Sequence, residues 1–289
     1  MFLKDRLETV NHIPAVRAHV AGWRREGASV ALVPTMGSLH RGHMQLVKLA
    51  LERAERVVVS IFVNPMQFGP RDDFDRYPRT LERDCAALAQ AGAQLVFAPE
   101  PQEMYPAGMQ HSSVVDVPAL SGILEGRHRP GHFQGVATVV AKLFNITTPD
   151  VAVFGQKDYQ QLLVIEQMTR DLCLPIEIVP GPIVRDDDGL ALSSRNQYLS
   201  AAERSRAPLL HDSLVIARQR LLDGDRRWAK IETAALGRLE SAGFVPDYFS
   251  IRSAEDLGPP SEGHRRLVLL VAARLGQTRL IDNVCVDLK

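Results

Sequence analysis

The sequence predicts an α/β architecture, a doubly wound parallel sheet followed by a second, smaller α+β domain, on three observations. Over the first 180 residues, short apolar runs rich in β-branched residues alternate with helical patterns. Near Pro180-Gly181-Pro182 that alternation stops. Beyond it, two helical stretches are followed by strand-like runs with no helix between them. Strand–helix alternation implies crossover connections and a parallel sheet, whereas consecutive strands favour antiparallel pairing.

Each element follows from its own residues. The strand-like runs are Val30 to Val33, Val57 to Val63, Leu95 to Ala98, Val151 to Phe154 and Ile176 to Val179. All are nearly continuous in apolar residues, as parallel strands covered on both faces require. Val136, Val139, Val140, Leu143 and Phe144 recur at i, i+3, i+4, i+7 and i+8, which lays one apolar stripe along a helix. Leu81, Cys85 and Leu88 do the same for an earlier helix, with Pro78 as its start signal. In the C-terminal part, helices are expected at Ala201 to Leu222 and Trp228 to Ser241. Strands are expected there at Tyr248 to Arg252, Leu267 to Val271 and Arg279 to Val286, with Gly258-Pro259-Pro260 marking the loop before the middle one. The domains are therefore read as residues 1–182 and 183–289.

Composition narrows the function. Apolar residues make up 45% of the 289 and charged residues 24%, which is ordinary for a globular chain. Lys plus Arg and Asp plus Glu both total 34, so the formal net charge is zero. A large nucleic-acid footprint would show as a basic excess; a local cationic pocket for a phosphorylated ligand would not. Cys85, Cys173 and Cys285 are far apart and form no CxxC pair, so they read as reduced thiols packed in the interior. Lys4, Asp5, Arg6 and Glu8 leave no room for a secretory apolar stretch. The longest apolar run, Leu267 to Ala273, is too short to span a bilayer. A soluble, cytoplasmic protein is expected.

Five segments carry chemistry. Pro34-Thr35-Met36-Gly37-Ser38-Leu39-His40-Arg41-Gly42-His43 follows a strand and precedes the helical pattern Val47, Ala50, Leu51, Ala54. That layout aims backbone N–H groups and a positive helix end at an anion. A bare HxxH reads equally as a turn with two surface histidines. Zinc would need a third ligand at a familiar spacing, and none is present, so no metal site is assigned. In the second segment, Asn64 and Gln67 of Asn64-Pro65-Met66-Gln67-Phe68 end the next strand, where ligands of open α/β sheets bind. They suit a hydroxy acid, or simply cap a loop. Gly155-Gln156-Lys157-Asp158 follows a third strand. Lys157 there suits a phosphate, and Asp158 suits a ribose or a helix N-cap. Gln161 lies one turn further on. Leu192-Ser193-Ser194-Arg195-Asn196 groups two hydroxyls and a guanidinium, a set that suits a triphosphate but is also common loop composition. Glu125 to Phe133 places cations and histidines at another helix start, as a site or as a solvated loop.

Taken together, PTMGSLHRGH, VSIFVNPMQFG, YPRT, EGRHRPGHFQGV, FGQKDYQQL, DGLALSSRNQYL and LVAARLGQTRLIDN resemble the successive motifs of the pantothenate synthetases, or pantoate–β-alanine ligases. The HxGH element alone is shared with other nucleotidyltransferases and some aminoacyl-tRNA synthetases; the combination with NPMQF and ALSSRN is far more specific. The resemblance implies a Rossmann-like ATP- and pantoate-binding domain and a C-terminal lid. It implies ATP contacts from Met36, Gly37, Ser38, Leu39, His40, Arg41, Gly42 and His43. Further ATP contacts follow from Gly155, Gln156, Lys157, Asp158, Val184, Leu192, Ser193, Ser194 and Arg195. His43 and His40, with Lys157 and Arg195, take catalytic places, His43 that of a proton donor. Gln67 and Gln161 match pantoate-binding positions, Gln67 also near β-alanine. Gln156 stands where other members have glutamate. Magnesium arrives with ATP, and a homodimer is implied. The competing enzyme reading is an HxGH transferase that leaves AMP on a phosphorylated acceptor; a regulatory nucleotide-binding module is the alternative from another class. No KMSKS-like segment supports a role with tRNA.

Overall fold

Continuous apolar strands need cover on both faces, and the first sheet is built that way. The computed structural model describes residues 7–70 and 72–288, so the charged Lys4, Asp5 and Arg6 lie outside the described residues. Its strands are β1 (Glu8–Val10), β2 (Val30–Thr35), β3 (Arg56–Ile61), β4 (Leu95–Phe97), β5 (Val151–Gly155) and β6 (Glu177–Gly181). They pair in the order β1-β4-β3-β2-β5-β6, every pair parallel. The helices of this part are α1 (Ile13–Arg25), α2 (Arg41–Leu51), α3 (Leu81–Ala91), the one-turn α4 (Pro101–Met104), α5 (Pro118–Ser121) and α6 (Glu125–His128), then α7 (His132–Thr147) and α8 (Tyr159–Asp171).

Side-chain alternation divides the strands between two layers. Ala31, Val33, Val57, Val59, Val96, Val151 and Val153 pack with Leu46, Val47 and Ala50 of α2 and Leu88 of α3. Their neighbours Leu32, Val58, Phe97 and Phe154 are buried on the opposite face, where Phe154 meets Phe144 of α7 edge-on at 6.3 Å. Strand order reverses between β2 and β5, and the segments after β2, β3 and β5 leave from the carboxyl ends of the strands, the usual ligand position in such sheets.

The sequence expectation misses β1, whose three half-polar residues at a sheet edge carry little apolar signal. Helix α3 starts at Leu81 after Thr80 as N-cap, and Cys85 and Leu88 pack on the core, but Leu81 is 41% exposed and Asp84 is buried in its stead. Cys173 is exposed, in a left-handed turn after α8, and not packed in the interior; all three cysteines are free thiols.

The second sheet is antiparallel, β7 (Val245–Ser253), β8 (Arg266–Leu275) and β9 (Thr278–Asp287) in that order. The helices before it are α9 (Ala201–Arg206), α10 (Leu209–Leu222) and α11 (Trp228–Ser241). The single helix expected over Ala201 to Leu222 is broken before Leu209, because Pro208 has no N–H to continue the ladder. Leu210, Leu214 and Leu221 of α10 and Ile231 and Leu239 of α11 form one core with Leu267, Leu269 and Val271 of β8.

The chain divides into two compact units. One runs to Gln156 and resumes over Val164–Pro182; the other holds Lys157–Leu163 together with the chain from Ile183. Tyr159 Oη donates to the Ala254 carbonyl at 2.7 Å, and Asn283 Nδ2 donates to the Lys157 carbonyl at 2.8 Å, which ties that short segment to the second unit. Among the described residues no helix is long and apolar enough to cross a membrane.

Candidate active site

The loop after β2 is shaped by two left-handed residues in succession, Gly37 at φ 80° and Ser38 at φ 50°. The conformation suits glycine, but at Ser38 it costs roughly 1–2 kcal/mol. Asp84 of α3, only 1% exposed, offsets that cost. Its carboxylate accepts from the amides of Ser38 at 2.8 Å and Leu39 at 2.9 Å, and from Thr80 Oγ1 at 3.1 Å. A Cβ at Gly37 would also be crowded, 3.2 Å from that carboxylate and 3.1 Å from Ile61 Cγ2. At the strand end, Thr35 Oγ1 donates to the Ser60 carbonyl at 2.8 Å and accepts from the Gly37 amide at 3.2 Å.

The loop delivers the two histidines to the start of α2. His40 is the N-cap, and its ring accepts from the Gly42 amide through Nδ1 at 3.1 Å. His43 Nδ1 accepts from the His40 amide at 3.2 Å, which completes a reciprocal cap. A nitrogen that accepts carries no proton, so in both rings the ring proton sits on Nε2. The ring centroids are 4.1 Å apart. Two imidazole donors therefore stand side by side at the positive end of a helix, an arrangement suited to a phosphate chain.

After β3, a single 3₁₀ turn at Pro65–Gln67 presents Gln67, with Asn64 as its N-cap. Both side chains are buried. Gln67 Nε2 lies 3.4 Å from Met36 Sδ, which brings the second segment against the first. Asn64 is not available to a ligand. Its Nδ2 donates to Gln67 Oε1 and the Gly135 carbonyl, and its Oδ1 accepts from the Met66 amide and Tyr105 Oη. The fifth segment backs this turn. His132 Nδ1 and Arg129 Nη2 both donate to the Gln67 carbonyl, at 2.8 and 3.4 Å. Arg129 Nη1 lies 3.1 Å from His132 Nε2, and its Nη2 pairs with Asp72 at 2.9 Å. Burial works against the charge on Asp72, but the Gly69 amide and the Arg129 guanidinium outweigh it and hold the carboxyl below its ordinary range.

In the second unit, Lys157 and Asp158 are half-buried just ahead of α8, with Nζ and Oδ2 3.9 Å apart, and Gln161 is half-buried in the first turn of that helix. The Leu192 amide donates to the Val184 carbonyl at 2.9 Å, and Ser193 caps the 3₁₀ helix Ser194–Tyr198 by accepting from the Arg195 amide at 3.2 Å. Gly155 and Gln156 belong to the first unit, where the Gln156 amide donates to the Gly181 carbonyl at 2.8 Å. Among the described residues no three His, Cys, Asp or Glu side chains are grouped to hold a metal ion.

Two contributors escape a sequence reading. Asp84 carried a signal, an acid on the inward side of α3 beside Leu88. Tyr105 carried none, because only folding brings it to Asn64, 41 residues away in the chain.

Comparison with known proteins agrees with this geometry. The family model of pantoate-β-alanine ligase matches residues 8–285. A pantothenate synthetase of Nitrosococcus oceani is 53% identical over 98% of this chain and 99% of its own. That of Stutzerimonas stutzeri is 54% identical over the same shares. The crystal structure of pantothenate synthetase from Thermus thermophilus superposes with a TM-score of 0.89 at 48% identity, covering 96% of this chain and 98% of that one. A pantoate-β-alanine ligase of Francisella tularensis, solved with β-γ ATP and β-alanine bound, gives 0.78 at 31% identity, covering 96% and 97%. With its sheet order, its capped histidine pair and this match over nearly its whole length, the chain belongs to the pantoate–β-alanine ligase family.

Proposed function

We propose that this enzyme joins pantoate to β-alanine in two half-reactions. The pantoate carboxylate attacks the α-phosphate of ATP, expelling pyrophosphate and leaving pantoyl-adenylate. The β-alanine amine then attacks the acyl carbonyl, which releases AMP and forms the amide of pantothenate. The observation that carries this reading is the family match over residues 8–285.

The chemistry of the side chains supports it. Both reactants of the first step are anions, so the protein must hold repelling charges together and stabilise the departing pyrophosphate. From the first unit, the Nε2 protons of His40 and His43 and the loop from Met36 serve as donors to ATP, with His43 aimed at the charge that develops on phosphate. From the second, Lys157 and Arg195 supply positive charge, Ser193 and Ser194 supply hydroxyls, and Gly155 to Asp158, Val184 and Leu192 complete the nucleotide contacts. Gln67 and Gln161 orient pantoate without adding charge, so their contribution is positional. Magnesium enters as part of the ATP substrate. A cytoplasmic homodimer belongs to the same reading, supported by the family resemblance and checked by light scattering on the purified enzyme.

The test is AMP formation with ATP, pantoate and β-alanine, each omitted in turn. AMP is expected to need all three. Without the amine, a single turnover of pyrophosphate should appear, with adenylate retained on the enzyme. AMP released at the full rate without amine, or a dinucleotide-like product, would overturn the ligase reading.

A further inference from the structure

The two ends of a glutamine amide have opposite hydrogen-bonding character, so which end faces a ligand decides what the residue recognises. In Gln67 that choice is made by the main chain, through Asn64. The Met66 amide approaches one end of the Asn64 side chain at 3.3 Å and demands an oxygen there. The Gly135 carbonyl approaches the other end at 3.1 Å and demands the NH₂. Neither backbone group can exchange its role, so Asn64 has a single orientation. Its Nδ2, 3.2 Å from Gln67, is then a donor and demands that the carbonyl oxygen Oε1 face it. Gln67 Nε2 is turned the other way, with the weak acceptor Met36 Sδ at 3.4 Å.

Three further features hold this chain of bonds in place. A Cβ on Gly135 would stand 2.5 Å from the Met66 carbonyl oxygen and 2.7 Å from the Gln67 amide nitrogen, so only glycine lets α7 bring its carbonyl to Asn64. Arg129 and His132 hold the Gln67 main chain separately, through its carbonyl. Tyr105 Oη donates to Asn64 Oδ1 at 2.7 Å from a ring that is 4% exposed. Burial pushes the Tyr105 phenol above its ordinary value, so it keeps the proton that it donates.

We propose that Tyr105 is a positioning residue of the pantoate site, acting through Asn64 to hold Gln67 with only N–H donors toward the ligand, so that Gln67 recognises an acceptor oxygen and never a hydroxyl proton. The inference rests on the assignment of Gln67 to pantoate. It adds to that assignment the sense of the hydrogen bond and a residue that, with the main chain, holds it.

The experiment uses full-length enzyme with ¹⁵N-labelled glutamine side chains, the Gln67 NH₂ pair being identified by its loss in Gln67→Ala. Saturating pantoate should move that pair downfield in the proton dimension and slow its exchange. Tyr105→Phe keeps the ring among Phe62 and Lys142 and removes only the hydroxyl. It should weaken that response and raise KM for pantoate about fivefold, the loss expected for one hydrogen bond. KM for ATP and kcat should stay within about twofold, a split that general loosening of the fold would not give. If Gln67→Ala leaves KM for pantoate unchanged, the pantoate assignment itself fails. If Gln67→Ala raises it but pantoate leaves the Gln67 NH₂ pair unmoved, the orientation is refuted while the assignment stands. Equal shifts of both KM values in Tyr105→Phe, or no shift in either, refute the role of Tyr105. Once the pair is identified, the wild-type spectrum decides the orientation without relying on Tyr105→Phe.

Discussion

A histidine three residues from another says little until its protons are placed. His40 and His43 each spend Nδ1 on a main-chain amide, which makes the cap of α2 and the donor set of the site one device. Replacing His43 by alanine should therefore have two separable effects. Adenylate formation should slow by roughly 10²–10³, the usual loss for one donor aimed at developing charge. Stability should fall by about 1 kcal/mol through loss of half the cap. Rapid-quench measurement of pyrophosphate and a melting curve read the two effects separately; a variant that keeps more than half its rate would refute the role given to His43. The place of the pair at a helix start was legible in the sequence, from the strand, glycine turn and helical pattern around it. Its proton placement was not, since tautomers are set by amides that exist only in the folded loop. Asn64 shows the same limit in reverse: the sequence left it open between a ligand-binding amide and a loop cap, and it proves to be the cap, with protein partners at both ends.

At the scale of elements, the parallel strands β2 to β6 were legible because burial on both faces leaves nearly unbroken apolar runs. What fell outside that pattern was misread. The stripe on α3 was assigned to Leu81, Cys85 and Leu88; Cys85 and Leu88 do pack on the core, but Leu81 is exposed and the buried position left out is Asp84, since a carboxylate normally marks the wet side of a helix. The exception exists because α3 is joined to the loop before α2 through that carboxylate. Asp84→Ala would leave the amides of Ser38 and Leu39 without their acceptor, with a loss of about 2–6 kcal/mol at roughly 1–3 per buried donor. Asp84→Asn should be little better, since its NH₂ would confront one of those amides. In both variants the ATP half-reaction should suffer while pantoate binding is largely kept, as calorimetric titration with each ligand would reveal. Normal ATP affinity in Asp84→Ala would show that the loop keeps its shape unaided.

Across the whole chain, the change from parallel to antiparallel sheet could be read from where strands stop alternating with helices. The true membership of Lys157–Leu163 could not, because it depends on hydrogen bonds to Ala254 and Asn283 about 100 residues later. The second unit also contains a source of acid sensitivity. Asp282 of β9 is buried and pairs with Arg185 at 2.6 Å, with His211 Nδ1 at 3.5 Å. Burial opposes its charge, but His211 and Arg185 more than compensate, and its carboxyl is held below the ordinary value. A carboxyl depressed in the folded state stabilises above its unfolded pKa of about 3.9, and that stabilisation is lost as pH falls through the folded value. Asp282→Asn should thus cost roughly 1–3 kcal/mol near neutrality, the loss of charge-assisted bonds to an Arg185 that keeps the Gly189 and Asn283 carbonyls as acceptors. The gap from wild type should narrow below about pH 4. Urea unfolding from pH 3 to 7 provides the comparison, and a gap independent of pH would show that Asp282 contributes by shape alone.

The three passages of the chain between units, at Gln156/Lys157, Leu163/Val164 and Pro182/Ile183, bear on inheritance. A single recombination between two related genes cannot exchange one unit intact. Joined at residue 183, the daughter pairs one parent's Lys157 carbonyl and Tyr159 hydroxyl with the other parent's Asn283 and Ala254. Joined before Lys157, it draws Val164–Pro182, with strand β6, from the wrong parent. Three exchanges are needed for a clean swap, so the two halves of this enzyme are expected to diverge together, each constraining which changes the other can keep.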